Sequence, residues 1–340
     1  MSLAAALRDR NVAELPSKRD EDWRWTDLRG LIRALPDPSE PFTGDPGVGP
    51  FDALAEDRRV IANGGAEQID VPAGQKAVIA LRFLSRGAGA HASQVQINVG
   101  AGAYLWLLES YESDAASVAQ ATLAIDLAES AGMERIVLGR DDSEAVSVSQ
   151  ADLTLAPRAE FAQTVVTSGG RRQRLETRVS HPGGHANLRI DGAYILSNKS
   201  HADLTSVVTH GGTDGTTEQL TKGVVRDQAR GVFQGRIVVA EGADRTDAKM
   251  GHHALILSDR AEVDAKPELE IYADDVACAH GNTVGALDED ALFYARQRGM
   301  SEDEAKALLT QAFIGEVVDR IGHEGAREVV RAWVAERLGT

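Results

Sequence analysis

The sequence predicts a mainly β protein in which a long central β region lies between two α-helical regions. Short stretches with a side-chain period of two recur from residue 77 to residue 285, and this period is typical of strands. Apolar residues at helical spacing are concentrated at the two ends of the chain. The central region shows no convincing amphipathic helix, which excludes a doubly wound α/β fold and leaves a sandwich, a barrel or a β-solenoid.

Residues 1–76 are predicted to form an N-terminal helical region followed by a linker. Four apolar residues recur at helical spacing: Leu28, Leu31, Ile32 and Leu35. The Pro- and Gly-rich segment 36–50 then predicts a loop. Trp23 and Trp25 stand in a densely charged stretch, and this pattern favours a helix start that docks on the core over a ligand-binding role.

Residues 77–285 are predicted to form the β core. Val95, Ile97 and Val99 alternate with polar residues, and similar alternation recurs along the region. Gly, Asp and Asn residues typical of turns separate the stretches. No exact internal repeat is visible, so periodicity alone does not choose the solenoid among the three β architectures.

Residues 286–340 are predicted to form a C-terminal helical region. Ser301 and Glu304 have the spacing of a capping box, in which each side chain satisfies a free backbone N–H of the other residue. An apolar stripe follows at Ala305, Leu308, Leu309, Ala312, Phe313 and Val317. Such helices either pack on the β core or present a groove to a partner. Both are possible together if one face of a helix packs on the core and another face binds the partner.

The composition excludes several classes of function. The chain has 36 basic and 52 acidic residues, a net charge of −16, which argues against binding nucleic acid or an anionic membrane through bulk charge. Its one cysteine cannot form an internal disulfide. The N-terminus lacks the features of a signal peptide, and no apolar run approaches the ~18 residues of a membrane helix. A cytoplasmic protein is expected.

Nucleotide and hydrolase motifs are also missing from the sequence. No G-x-x-x-x-G-K-[ST] phosphate loop occurs, so no ATP site is expected on this chain. No G-x-S-x-G elbow marks a serine hydrolase, and no C-x-x-C pair supplies a thiolate cluster site.

The strongest candidate site residues are Cys278 and His280. Two residues apart in a strand, they point to the same side. If 268–280 is extended throughout, one face is mostly small and apolar and is predicted to enter the core: Leu269, Ile271, Ala273, Ala277 and Ala279. Cys278 and His280 then lie on the opposite, non-core face. A thiolate beside an imidazole suits zinc or iron, although two ligands do not complete a site.

Other interpretations of these residues remain open at this point. Cys278 and His280 could be the nucleophile and base of a stand-alone cysteine hydrolase, which requires a strongly depressed thiol pKa, or Cys278 could be an ordinary buried cysteine. Among the other histidines, His181 and His185 in a Gly-rich turn could chelate. His252 and the residue after it point to opposite faces if extended, so at most one of the two joins a given site.

Three segments together resemble the SufB/SufD family of the SUF iron–sulfur cluster assembly system. Residues 266–300 resemble the family pattern KPELEI-x-ADDV-x-C-x-HG-x-TVG-x-LDE followed by FYLRSRG. Residues 222–239 resemble KGV-x-x-x-x-ARGVF-x-GKI, and residues 16–28 resemble PSRR-x-E-x-WRYTDL. With its single cysteine and the sequence CAHGNTVG, the chain resembles the SufD branch of the family. SufB-like chains are richer in cysteine, and their equivalent segment is C-E-H-E-A. The match is weak over residues 40–145.

This resemblance implies a right-handed parallel β-helix between helical end regions, and so selects the solenoid. It implies a non-enzymatic subunit of a SufBCD-type scaffold complex, forming a heterodimer with SufB and binding the SufC ATPase through the C-terminal helices. A homodimer of the chain alone would use similar surfaces. His280 would supply one ligand to a nascent, transient iron–sulfur cluster shared with SufB, and Cys278 would be an auxiliary thiol. In a third reading the site is degenerate and the chain only holds its partners.

Overall fold

A computed structural model describes residues 2–339 as strands wound between short N-terminal helices and longer C-terminal ones. The N-terminal helices are α1 (Leu3–Asp9) and α2 (Leu28–Leu31), with 3-10 turns at Val12–Glu14 and Glu21–Trp23. The strands are β1 (Asp57–Ala62), β2 (Gly65–Val71), β3 (Lys76–Ser85), β4 (Gly89–Val99), β5 (Tyr104–Ser113), β6 (Ser117–Leu127), β7 (Gly132–Arg140), β8 (Val146–Leu155), β9 (Glu160–Thr167), β10 (Arg172–His181), β11 (Asn187–Leu196), β12 (His201–His210), β13 (Thr216–Val225), β14 (Arg230–Val239), β15 (Thr246–Ile256), β16 (Glu262–Ile271) and β17 (Val276–Gly285). The C-terminal helices are α3 (Glu289–Gln297), α4 (Glu302–Val318) and α5 (Glu324–Leu338).

The strands form a parallel β-helix, as the family resemblance implied. The odd-numbered strands make a nine-stranded sheet, the even-numbered strands make an eight-stranded sheet, and consecutive strands alternate between the two. All ladders within the sheets are parallel; Asn187, for example, pairs with Thr216, and Thr216 pairs with Asp247. The first strands lie before residue 77, because β1 and β2 already pair with β3 and β4.

The main core lies between the two sheets. Alternate side chains of each strand point inward, so the period of two in the sequence becomes a continuous apolar interior. Ile97 and Leu123, on neighbouring strands of the even sheet, are fully buried there, as are Leu105 and Leu188 of the odd sheet. Each turn of the β-helix therefore stacks its apolar residues on those of the previous turn.

The N-terminal segment covers the outer face of the even sheet. The guanidinium of Arg174 lies over the ring of Trp23 at 4.4 Å, and the hydroxyl of Thr26 donates to Asp203 at 2.5 Å. Leu3 and Leu28 are buried on the same face. The interpretation of Trp23 as a docking residue is therefore confirmed.

Helices α4 and α5 cover the outer face of the odd sheet. Ile314 and Val330, one from each helix, are fully buried with outward-facing residues of that sheet. Helix α4 begins with the predicted capping box, since Ser301 and Glu304 each hydrogen-bond the backbone of the other. Core packing is thus confirmed for these two helices. Within the part of the chain that the structure describes, no helix has the length and apolar character needed to cross a membrane.

The C-terminal end of the β-helix is open. β16 and β17 are the last strands of the two sheets, and each pairs with only one neighbouring strand in the described structure. Ile271, Tyr272 and Val284 expose apolar side chains there, with 64% of Tyr272 accessible. We refer to the outer edges of β16 and β17 as the open end.

Candidate functional site

Cys278 and His280 both lie on β17, at the open end. Cys278 pairs with Ala248 and His280 pairs with Met250, and both partners are buried in the main core. Cys278 is half-buried and packs against that core, whereas His280 is exposed. As expected for residues two apart in a strand, the thiol and the imidazole share one face.

The predicted assignment of faces was wrong. A turn at 272–275 separates β16 from β17, and the two strands belong to different sheets, so alternation along β16 does not continue into β17. Ala277 and Ala279 are consequently exposed, while Cys278 packs against the interior. The thiol and the imidazole therefore belong to the inward-facing column of the last turn, which is accessible because no further turn of residues 2–339 covers it.

Burial raises the pKa of the Cys278 thiol, and the carboxylate of Asp247 adds to the rise, while a hydrogen bond with the backbone of Ala248 acts in the opposite direction. In the described structure no hydrogen bond joins Cys278 to His280. A nucleophilic cysteine needs the opposite arrangement, with a lowered pKa and a base in contact. The geometry therefore gives no support to the hydrolase hypothesis.

We expect Cys278 to react slowly with alkylating reagents. Because the pKa of Cys278 is raised, a smaller fraction of it is thiolate at pH 7 than in a free cysteine. Its alkylation rate should therefore increase at a higher pH than that of N-acetylcysteine. Iodoacetamide kinetics between pH 7 and pH 9 on the purified chain measure this directly. A rate at pH 7 above that of N-acetylcysteine would show an activated thiol and revive the hydrolase hypothesis.

The donor set at the open end is incomplete. Among the described residues, no three His, Cys, Asp or Glu side chains come together closely enough to hold a metal ion. A thiol and an imidazole are nevertheless ligands that iron accepts, and both lie on the last strand, at the uncovered end of the β-helix. The arrangement can contribute one or two ligands to a group whose remaining ligands come from another molecule.

A buried hydrogen-bonded chain leads to the same edge from inside the β-helix. The hydroxyl of Tyr194 lies 2.9 Å from Nε2 of His252, and Nδ1 of His252 lies 2.7 Å from Oδ1 of Asn282. His252 stacks on Phe233 with ring centroids 4.7 Å apart. Burial lowers the pKa of His252 to about 4, so its imidazole is neutral at ordinary pH. His253 points outward instead and contacts Thr283, so only one of the two histidines faces the site, as alternation required.

Gly223 makes room for the Tyr194 ring. It lies on β13, between the strands of Tyr194 and His252, and pairs directly with Tyr194. A Cβ atom at this position would overlap the phenol ring. The tyrosine side chain therefore crosses over β13 to reach His252. The two residues are 58 positions apart in the chain, so no local sequence pattern predicts this contact.

The remaining histidines do not join this site. His181 lies 2.5 Å from His210 on the neighbouring turn, and His210 contacts the hydroxyl of Thr217. Both histidines are fully buried. His185 is exposed, so the predicted His181–His185 chelate does not form, and His181 pairs across strands instead.

Helix α3 carries a second exposed feature. Phe293 and Tyr294 are 64% and 60% accessible, and Met300 and Leu308 expose apolar surface nearby in the chain. Unlike α4 and α5, α3 has no buried residue. We refer to the exposed apolar residues of 293–308 as the α3 surface; apolar surface of this kind marks interaction sites in many proteins.

Residues 83–313 match the family model described as SUF system FeS cluster assembly, SufBD core domain. This region includes 14 complete strands, β4–β17, the turn at 272–275 and both candidate ligands. The match thus covers the open end together with the first turns of the C-terminal helical region.

Curated relatives agree with this match. The chain is 33% identical to the iron-sulfur cluster assembly protein SufD of Escherichia coli (strain K12), over 71% of the chain and 58% of that protein. It is 30% identical to an iron-sulfur cluster assembly SufBD family protein of Synechocystis, over 58% of the chain and 44% of that protein. A Mycobacterium tuberculosis SufBD family protein is 26% identical over 97% of the chain and 91% of its own length. The chain thus spans about half the length of the first two relatives.

Proposed function

This chain belongs to the SufB/SufD family of the SUF iron–sulfur cluster assembly system, and from that membership we propose that it is a SufD-type, non-enzymatic scaffold subunit. In this proposal it pairs with a SufB-type paralogue, binds a SufC-type ATPase, and helps to hold a nascent iron–sulfur cluster between the two β-helices. The cluster is cargo, assembled on the complex and passed on.

The exposure of His280 at the open end is the observation that carries this proposal. The imidazole sits beside the half-buried Cys278 on the last strand of the β-helix, where a second chain can reach both. His280 would bind iron through a neutral imidazole nitrogen, and Cys278 would offer a second ligand, its sulfur, once deprotonated. The partner would complete the ligand set that this chain leaves unfinished.

The edges of β16 and β17 support pairing with another β-helix. An edge strand presents unpaired N–H and C=O groups that a strand of another chain can satisfy. The exposed apolar side chains of Tyr272 and Val284 add surface to bury at the same place. A SufB-type partner with the same architecture would place its own ligands opposite His280, and a second copy of this chain would compete for the same edges.

The α3 surface supports binding of the ATPase. Helix α3 begins at Glu289, only a short link after β17 ends at Gly285. A movement of α3 would therefore be transmitted to the strand that bears His280. The sequence has no phosphate loop of its own, and ATP hydrolysis by the partner would supply the work. We propose that this movement opens and closes the interface between the paralogues.

Affinity purification of the tagged full-length chain from its native host tests the proposal. We expect a SufB-type protein and an ABC-type ATPase to copurify. Val284→Arg should deplete the SufB-type protein, and Phe293→Asp should deplete the ATPase, each about tenfold or more, because each puts a charge into an apolar contact. Val48→Arg, at a loop residue that is 90% exposed, is the matched control and should lose neither. Recovery of the chain without either partner after crosslinking would overturn the proposal.

A further inference from the structure

In the hydrogen-bonded chain of Tyr194, His252 and Asn282, the contact between Oδ1 of Asn282 and Nδ1 of His252 sets the direction. The Oδ1 atom of Asn282 can only accept, so Nδ1 of His252 must carry the proton. His252 is neutral, so its Nε2 atom has no proton and accepts from the hydroxyl of Tyr194. Both ring nitrogens of His252 and the hydroxyl of Tyr194 are thereby satisfied, which buried polar groups need in a low-dielectric interior.

The same contact orients the Asn282 carboxamide. With Oδ1 facing His252, the amide nitrogen and its two protons point away from His252. Among the described residues, no acceptor receives a hydrogen bond from this nitrogen, and Asn282 is exposed. Asn282 also lies two residues after His280 on β17, so the two side chains share a face about 7 Å apart.

We propose that Asn282 is a hydrogen-bond donor to an anionic sulfur bound at the open end, and that His252 and Tyr194 are positioning residues that keep its amide protons facing outward. This inference rests on the proposed function, because the sulfur belongs to the group that His280 would ligate. Sulfide and thiolate are anions, and N–H donors stabilise them and raise the reduction potential of the clusters that contain them. The opposite carboxamide orientation would present an oxygen lone pair and repel the same sulfur.

A neighbouring pair provides an internal control. His253 and Thr283 lie on the same two strands, one residue along, and also make a contact of 2.7 Å between Nδ1 and the side chain of the partner. They point to the outside of the β-helix, away from His280. Substitutions in this pair change a similar contact on the same strands without touching the inward-facing column.

The positioning role can be tested on the full-length chain without a cluster. The chain contains only six asparagines, so selective 15N labelling with Asn282→Ala as the assignment reference identifies the Asn282 carboxamide signals. We expect Tyr194→Phe to shift or broaden them, because Nε2 then loses its donor and His252 is free to change tautomer. Thr283→Ala should leave them in place. Identical Asn282 signals in wild type and Tyr194→Phe would overturn the positioning role.

The donor role can be tested on the complex with the copurified partners, loaded with ferrous iron and sodium sulfide. Asn282→Ala should lower the reduction potential of the bound cluster and speed iron loss to a chelator about tenfold, the usual size of an outer-shell effect. Thr283→Ala should change neither quantity. If His280→Ala alters the cluster but Asn282→Ala behaves as wild type, this inference fails alone. If His280→Ala also behaves as wild type, the cluster-holding part of the proposed function fails with it.

Discussion

Replacing His280 with alanine is expected to lower the iron and acid-labile sulfide recovered with the complex by about tenfold or more, since removal of a direct ligand should exceed a typical outer-shell effect. His280 is exposed on the last strand, so its loss leaves no cavity and the fold should persist. Iron and sulfide analysis of the purified complex, with circular dichroism and partner recovery as checks on folding, measures the effect.

The matched control for His280→Ala is His253→Ala. His253 is a half-buried histidine on the neighbouring strand, and its side chain faces the outside of the β-helix. If loss of any histidine in this region lowered the iron and sulfide content, both variants would show the same decrease. If His280 is a ligand, only His280→Ala should show it. Comparing the iron and sulfide content of Cys278→Ser with that of His280→Ala then ranks the two proposed ligands. Unchanged iron and sulfide in His280→Ala would favour the reading in which the site is degenerate.

Replacing Arg135 with alanine is expected to lower the free energy of unfolding by about 3–5 kcal/mol. Arg135 is buried inside the β-helix, where its guanidinium donates to both oxygens of Glu109 at 2.6 and 2.7 Å and to Gln163 at 2.8 Å. Its removal leaves the Glu109 carboxylate buried without a counter-charge. Urea unfolding at pH 7, monitored by circular dichroism, measures the change.

Two further variants separate a buried charge from simple loss of packing. The double variant Glu109→Leu and Arg135→Met removes both charges and should recover most of the lost stability, since a buried pair replaced by apolar groups is often neutral. Arg158→Ala breaks an ion pair with Glu129 whose side chains are each 57% exposed, and it should change stability by less than about 1 kcal/mol. A double variant as unstable as Arg135→Ala would contradict this explanation.

Sequence patterns between neighbouring residues predict the helices and strands of this protein better than the way in which the strands are arranged. The capping box at Ser301 and the alternation around Ile97 depend on residues close in the chain, and both appear as expected. Periodicity could not separate a solenoid from a sandwich, because both need alternating side chains. Packing in the interior requires only that each inward side chain fit against the side chains of the previous turn. It does not require the same residue in every turn, so no repeated sequence can be detected.

The candidate site was predictable in its residues but not in its surroundings. Cys278 and His280 share a short segment, so their common face followed from strand geometry. The direction of that face depended on the turn at 272–275, which moves the chain from one sheet to the other. The Tyr194–His252 contact depends on two strands that are neighbours only after the β-helix has wound, with Gly223 leaving space between them.

The open end also has a consequence for protein production in the cell. An uncovered β edge can pair with any compatible strand. The chain that reaches this edge first after synthesis is therefore the one that pairs with it. Under the proposed pairing with a SufB-type paralogue, we expect the ratio of the two chains to decide how much of this chain forms the heterodimer and how much pairs with itself. Coordinated synthesis of the subunits would then act as quality control, because a surplus of one chain would be diverted into self-association before any cluster is built.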